Sequence, residues 1–298
     1  MNRWWIYQKE RFPIFGHGAL IAAFSACAVS FSALLRHADV PAWNIYAVAF
    51  SVCFLMFLQL RIADEFKDRE DDARWRPYRP VPRGLVKLSE LRIVFIAAAA
   101  LQLGAALSLD PRLPIVLIIA WLYLGLMCVE FFRRDWLKAR PVIYLLSHMG
   151  IMPLVDFFGT ACDWLPARNS PPAGLGWFLA ASFFNGLVIE IGRKLRQPAD
   201  EEAGVETYSR LWGMKPGAVA WLGAIAATFA CAVMAARAIA FAVPVSVVLG
   251  CAAAGALWPV RCYWRGSHGK KIETFSGLWT LALYLILGAV PLAIHTLS

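Results

Sequence analysis

Charged residues are scarce in this chain. They make up 16% of its 298 residues, whereas hydrophobic residues make up 60%, and a soluble globular domain carries about 25% charged residues. The apolar residues come in blocks of about 20, the length that a helix needs to cross a bilayer. The composition therefore excludes an ordinary soluble domain and predicts an integral membrane protein surrounded by membrane lipid.

Other features that would define a protein class are missing. The seven cysteines are scattered without a Cys-x-x-Cys pair, so we expect them to pack as small apolar residues rather than to bind metal or form disulfides. The Asp-Gly-x-x-Ala-Arg signature of phosphatidyl-type transferases is absent. No linker is long enough to separate two domains, and we expect one integral-membrane domain over residues 1–298.

Nine apolar blocks predict an all-α, polytopic membrane protein of about nine transmembrane helices. Their approximate bounds are 14–35, 42–62, 93–109, 114–132, 142–161, 173–192, 216–236, 239–259 and 274–296, the third being short. Of the 29 Lys and Arg residues, 25 fall in segments on one side of these spans and 4 on the other. Since positive residues concentrate on the cytoplasmic side, we expect the N-terminus inside and the C-terminus outside a bacterial-type inner or plasma membrane. The net charge of +9 therefore reflects topology, and we expect no nucleic-acid partner.

Acidic residues are also few, but eleven of the twenty lie in two short stretches. These are Asp64, Glu65, Asp68, Glu70, Asp71 and Asp72, and then Glu190, Asp200, Glu201, Glu202 and Glu206. The first stretch follows the second span and the other follows the sixth, so both face the same side. Carboxylates this dense repel one another unless a cation lies among them, and Mg²⁺ prefers oxygen ligands and is often shared with substrate phosphates.

The first stretch resembles a signature of the UbiA-type intramembrane prenyltransferases. That signature reads Asn-Asp-x-x-Asp-x-x-x-Asp, followed by Arg-Pro-Leu-Pro-x-Gly, and the matching positions here are Asp64, Glu65, Asp68 and Asp72, then Arg79-Pro80-Val81-Pro82-Arg83-Gly84. The second stretch, from Glu190 to Gly213, is similar to the family's second signature. The chain departs from the family in having Asp64 for Asn and Glu65 for Asp, and in the long spacing from Glu190 to Asp200.

The resemblance implies a Mg²⁺-dependent enzyme with a central cavity that opens to the cytoplasm. It would ionise an allylic prenyl diphosphate with the help of two Mg²⁺ ions, for which Mn²⁺ could substitute, and pass the prenyl group to a small or lipid-like acceptor. The implied metal ligands are Asp64, Glu65, Asp68, Asp72, Glu190, Asp200 and Glu201. The implied diphosphate ligands are Arg79, Arg83, Arg193, Lys194 and Tyr208, and the implied catalytic residues are Asp68, Asp72, Glu190 and Lys194.

Three polar residues within or near the spans are candidates for the acceptor side of the cavity. They are Glu130, His148 and Asn185, with packing or interhelical hydrogen bonding as the alternative for the last two. Asp156 also lies in the fifth span, where an ionisable residue is usually functional, but it is near the outer end and the interface is an alternative. The acceptor and the oligomeric state stay open.

Two other functions compete with prenyl transfer. A membrane terpene cyclase would use the same diphosphate ionisation without an acceptor. A divalent-cation transporter would carry its carboxylates in mid-membrane, whereas here they cluster at one boundary, which makes transport the weaker hypothesis.

Overall fold

Helices of very different lengths make up the molecule. The computed structural model describes residues 2–168 and 170–297, and over these residues it contains no β-strand. In chain order the helices are α1 (Arg3–Arg11), α2 (Ile14–Leu35), α3 (Trp43–Lys67), α4 (Arg69–Trp75), α5 (Leu88–Leu109), α6 (Leu113–Cys128), α7 (Arg134–Lys138), α8 (Pro141–Met149), α9 (Ile151–Arg168), α10 (Leu175–Arg193), α11 (Tyr208–Trp212), α12 (Met214–Ala238), α13 (Ala242–Gly255), α14 (Leu257–Trp264), α15 (Lys270–Tyr284) and α16 (Val290–Leu297). Short 3₁₀ turns cover Glu130–Phe132 and Pro198–Asp200, and a π-helical turn covers Leu285–Ala289. The predicted all-α fold is confirmed.

Eight helical segments of the described chain are long and apolar enough to cross a membrane. They are Ile14–Leu35, Trp43–Lys67, Leu88–Leu109, Pro141–Ala167, Leu175–Arg193, Met214–Ala238, Ala242–Trp264 and Lys270–Leu297. A further apolar helix, α6, has 16 residues, which at 1.5 Å per residue is shorter than the hydrocarbon core of about 30 Å. Together these segments agree with about nine predicted spans. The third span is not the short one, however, because α5 already begins at Leu88.

Three of the spans are interrupted, among them the eighth, which divides into α13 and α14 at Ala256. The fifth divides into α8 and α9 after Met149, since Pro153 has no N–H to donate to the Met149 carbonyl. The last span contains the π-helical turn, in which Gly288 faces α2. A Cβ atom at Gly288 would lie 2.5 Å from the Cα of Cys27, so the absence of a side chain lets the two helices approach closely.

The charged segments gather at one end of the bundle. Contacts between them join Glu10 to Arg83, Tyr78 to Glu202 and Asp200 to His268. The opposite end carries isolated pairs such as Arg36–Asp163, at 2.7 Å. Both acidic stretches therefore lie at the same end, as the even number of crossings between them requires. The side of the membrane that this end faces stays a prediction, and Ser298 lies outside the described residues.

The packing of α10 determines where Glu190, the first residue of the second acidic stretch, lies in the molecule. This helix packs against α9, α12 and α15, and against α8, the half of the fifth span that lies nearer the charged end of the bundle. Asn185 lies on its buried side and Glu190 near its last turn. The end of α10 therefore brings Glu190 into the middle of the charged end of the bundle.

Candidate active site

The first acidic stretch begins where α3 ends. Asp68 terminates α3, and α4 starts with the next residue. The Asp64 side chain is 45% exposed and accepts a hydrogen bond from Arg61 at 3.3 Å. Burial, followed by the charge of Asp64, raises the pKa of Asp68 above its ordinary value. Both effects disfavour the ionised form of Asp68. A cation placed between Asp64 and Asp68 would offset the repulsion between the two carboxylates.

Asp72 is held by two guanidinium groups. It is 3% exposed, and it lies 2.7 Å from a nitrogen of Arg76 and 2.7 Å from a nitrogen of Arg79. A buried carboxylate requires such partners, because an unpaired charge in this environment is strongly unfavourable. Two of the predicted site residues, Asp72 and Arg79, are therefore paired with each other.

Glu65 and Arg83 are directed towards the N-terminal helix α1. Glu65 is 2% exposed and forms an ion pair with Arg11. Arg83 donates to Glu10 at 2.9 Å and to the backbone carbonyl of Tyr78 at 2.8 Å. The structure thus uses both predicted site residues to fasten α1 to the segments that flank the first acidic stretch.

The second acidic stretch is centred on Glu190. Its carboxylate accepts from Arg193 at 2.6 Å and from Lys194 at 2.9 Å, the spacing that places these side chains on one helix face. The Lys194 ammonium also lies 5.7 Å from the centre of the Tyr208 ring. Burial, and then the nearby Glu190 carboxylate, raise the pKa of Tyr208, so its hydroxyl stays protonated. This group offers two cations and a hydroxyl donor beside one carboxylate.

Asp200 and Glu201 contact other side chains and do not contact Glu190. Asp200 contacts His268 at 2.7 Å. Glu201 accepts from the hydroxyls of Thr207 at 2.6 Å and Ser209 at 2.7 Å. These two predicted metal ligands shape the segment between α10 and α11 in the structure.

The two acidic stretches come together at the charged end of the bundle. Two contacts join the segments that follow them. The Tyr78 hydroxyl donates to Glu202 at 2.6 Å, which holds the pKa of Glu202 below its ordinary value. The Trp75 ring packs directly on Gly204, where a Cβ atom would lie 2.2 Å from the ring and φ is +71°. Only a glycine allows this close packing.

A third polar cluster joins α3, the turn after α6 and α8. The Lys67 ammonium contacts the Tyr144 hydroxyl, the Glu130 carboxylate at 2.9 Å and His148 Nε2 at 3.3 Å. Burial acts to raise the pKa of Glu130, but a charged His148 imidazole and the Lys67 ammonium outweigh it and lower this pKa to about 2. Lys67 directly precedes Asp68 in the chain, so the cluster borders the first acidic stretch.

Asn185 and Asp156 lie in the buried interior. Both are 0% exposed, so Asp156 does not reach the interface. Asn185 accepts from Thr280 at 3.1 Å, and Asp156 accepts from Tyr284 at 3.3 Å. The side-chain oxygen of Asn185 thus forms an interhelical hydrogen bond, which is one of the two interpretations considered for this residue.

The residues fit Mg²⁺ as a partner shared with a substrate and not as a closed protein cage. Over residues 2–168 and 170–297, no three carboxylate, imidazole or thiol groups converge as a ready-made metal site. Mg²⁺ in enzymes of phosphate chemistry is usually held by one or two carboxylates and by substrate oxygens. Asp64 and Asp68 on one side, and Glu190 on the other, offer carboxylate oxygens of this kind.

Several residues of the site were not predicted from the sequence. Lys67 stands inside the first motif, and Tyr144 precedes His148 by four positions, which is the spacing of neighbours on a helix face. Both signals are visible in the sequence. Arg76 and Glu202 owe their roles to contacts with Asp72 and Tyr78, and the Tyr78–Glu202 contact bridges segments far apart in the chain.

Comparisons with known proteins identify the family and the fold of the chain. A sequence profile of the UbiA prenyltransferase family matches residues 22–286. The chain is similar to the apo structure of a UbiA homolog from Aeropyrum pernix K1, with a TM-score of 0.70 and 15% identity over 94% of this chain and 98% of that chain. It is also similar to a structure of digeranylgeranylglyceryl phosphate synthase, with a TM-score of 0.57 and 15% identity over 97% and 99% of the two chains. No match was found among curated protein sequences.

Proposed function

Because the chain belongs to the UbiA prenyltransferase family, we propose that it ionises an allylic prenyl diphosphate and transfers the prenyl group to an acceptor. The observation that carries this proposal is the meeting of two opposed charged groups at one end of an apolar bundle. Asp64 and Asp68 supply carboxylates on one side, and Arg193, Lys194 and Tyr208 supply phosphate donors on the other. This division suits a substrate with a charged head and an apolar tail.

We propose that Asp64, Asp68 and Glu190 hold Mg²⁺ at this site, with Asp72 as a further ligand. Bound there, the ions would offset the negative charge that grows on the departing diphosphate. Asp72 would have to exchange Arg76 and Arg79 for this role, and the released guanidinium of Arg79 would then face the phosphates. Glu65, Asp200 and Glu201 have structural partners of their own, which makes them weaker candidates.

The chain's own cations and hydroxyl would bind the diphosphate. Arg193 and Lys194 now share the Glu190 carboxylate, and charged hydrogen bonds of this type suit phosphate oxygens. Tyr208 adds a donor that stays protonated. The apolar helices beyond would exclude water from the allylic cation.

The direct test is an ionisation assay that needs no acceptor. Purified protein is given geranyl, farnesyl or geranylgeranyl diphosphate carrying ¹⁸O in the bridging position, with and without Mg²⁺. Cleavage and return of the C–O bond scrambles the label into non-bridging oxygens. We expect scrambling that stops on chelation and returns with Mg²⁺ or Mn²⁺. No scrambling with any of the three would contradict the proposal, and release of a cyclic hydrocarbon would assign the terpene cyclase function instead.

A further inference from the structure

The cluster of Lys67, Glu130, Tyr144 and His148 is more elaborate than a structural ion pair needs to be. Lys67 and Glu130 alone would neutralise each other at 2.9 Å. The structure adds a tyrosine hydroxyl, which donates to Glu130 Oε1 at 3.1 Å, and an imidazole stacked on the tyrosine ring. It also holds Glu130 in a left-handed backbone conformation, with φ of +50°, which is unfavourable for a residue with a side chain. Backbone strain of this kind persists only where the surrounding structure enforces it, and it clusters at functional sites.

Hydrogen bonds fix the tautomer of His148. Its Nδ1 lies 2.9 Å from the backbone carbonyl of Tyr144, and a carbonyl only accepts, so Nδ1 carries the proton. In the neutral imidazole, Nε2 therefore presents a lone pair. Its neighbours are the Lys67 ammonium and Glu130 Oε2, each at 3.3 Å. The contact with Lys67 is longer than an ordinary hydrogen bond of about 2.9 Å, so another donor can displace it at little cost.

One acceptor in the cluster has no donor. Glu130 Oε2 is buried and makes no hydrogen bond within the described part of the chain, and its nearest nitrogen, His148 Nε2 at 3.3 Å, can donate to it only when the imidazole carries a second proton. A buried carboxylate oxygen without a donor is unfavourable. Protonation of Nε2 would give this oxygen its missing partner.

We infer that His148 is the base that takes up the proton released when the prenyl group joins its acceptor. Glu130, Lys67 and Tyr144 are then positioning residues, since they act on the acceptor through His148. The inference rests on the proposed function and deepens it. It requires an acceptor whose reacting O–H or C–H bond loses a proton, and it places that acceptor beside Lys67, between the third cluster and the first acidic stretch.

The step balances without a further reactant. The allylic C–O bond breaks, and its electron pair leaves with the diphosphate. An electron pair of the acceptor forms the new bond to the allylic carbon. The acceptor's O–H or C–H bond gives its proton to Nε2, and its electrons stay with the product. The imidazolium then donates its new N–H to Glu130 Oε2, while Lys67 keeps its contacts with Glu130 Oε1 and Tyr144.

The experiment separates ionisation from transfer. Ionisation is measured by ¹⁸O scrambling in geranylgeranyl diphosphate, and transfer by the passage of radiolabel from the same diphosphate into a total lipid extract that serves as the acceptor pool. We expect His148→Gln to keep scrambling near the wild-type rate and to lose transfer by about 100-fold or more, the contribution of a general base. Imidazole added to His148→Ala should restore part of the transfer. His37→Asn, at the opposite end of the bundle, is the matched control and should change neither rate.

Three results would overturn the inference. His148→Gln could transfer label as fast as the wild-type protein, or it could lose scrambling together with transfer, which would place His148 in the ionisation step or in the fold. A wild-type protein that scrambles oxygen but labels no lipid would have no acceptor proton to remove. If His148→Gln does not accumulate, His148→Ala is measured in its place, with and without added imidazole, with the same expected split. Loss of scrambling from the wild-type protein would instead contradict the proposed function, so the two failures are distinguishable.

Discussion

At the scale of single residues, the site works with carboxylates in different states. Asp68 is partly shielded from water and repelled by Asp64, Asp72 is fully paired, and Glu190 shares two cations. Their contributions should therefore differ when they are replaced.

Asp68→Asn and Glu190→Ala should each reduce ¹⁸O scrambling by about 100-fold or more, in the range seen when one electrostatic contact to a transition state is lost. The first substitution keeps the shape of the side chain but removes the charge that attracts a divalent ion. Glu70→Ala is the control, because Glu70 is an exposed residue of α4 outside these contacts. Rates are compared at matched protein levels. An active Asp68→Asn protein, or an inactive Glu70→Ala protein, would show that the metal lies elsewhere.

The ion pair between Glu130 and Lys67 allows a prediction of how stability depends on pH. Glu130→Gln should lower the free energy of unfolding by about 3 kcal/mol, because it leaves Lys67 without its counter-ion. The folded-state pKa of about 2 lies below the ordinary value of 4.5, so the stabilisation is present above the ordinary value and is lost only as the pH falls through the folded value. The difference in melting temperature between the variant and the wild-type protein should not shrink as the pH is lowered from about 8 to about 5. A difference that disappears over this interval would contradict the assignment of Glu130 as ionised.

At the scale of secondary-structure elements, the contact between the segment after α4 and the segment after α10 is the feature that joins the two motifs. Gly204→Ala should break this contact for two reasons. The new Cβ atom would clash with the Trp75 ring, and alanine is strained in the left-handed backbone conformation of this position. Gly266→Ala is the matched control: its φ is +93° and nothing lies within 4 Å, so it carries the backbone cost of about 1–2 kcal/mol alone. Hydrogen exchange of residues 198–207 should speed up in the first variant. Equal exchange there in both variants would show that the Trp75 contact does not hold the segment.

Elements and site were not equally predictable from the sequence. The apolar blocks located the spans because membrane crossing depends on local hydropathy, and the same-side placement of both acidic stretches followed from counting crossings. The partners of Glu65 and Arg83 depend on how α1 docks on the bundle, which no local pattern encodes. The end of α6 was also misjudged: residues 129–132 are apolar enough to extend the span apart from Glu130, but the chain turns left-handed there.

At the scale of the whole molecule, the topology is the property to test. Nine crossings place the two chain ends on opposite sides, and the 25-to-4 distribution of Lys and Arg predicts that the N-terminus and the candidate site are cytoplasmic. Reporters that are active on only one side, fused to each terminus in turn, should give opposite results. Two termini in the same compartment would mean that α6 does not cross, since it is the span that falls short of the usual length.

The left-handed turn after α6 has a consequence for protein engineering. Glu130, Phe131 and Phe132 have φ values of +50°, +50° and +58° in succession, and each such residue costs about 1–2 kcal/mol. Phe131 packs against Tyr123 and His148, but Phe132 is 77% exposed and has little packing to lose. Phe132→Gly should therefore raise the melting temperature relative to Phe132→Ala, which keeps the Cβ atom and its strain. A selection for heat resistance would find one of its easiest gains at this position, next to the phenylalanine that packs on the proposed base.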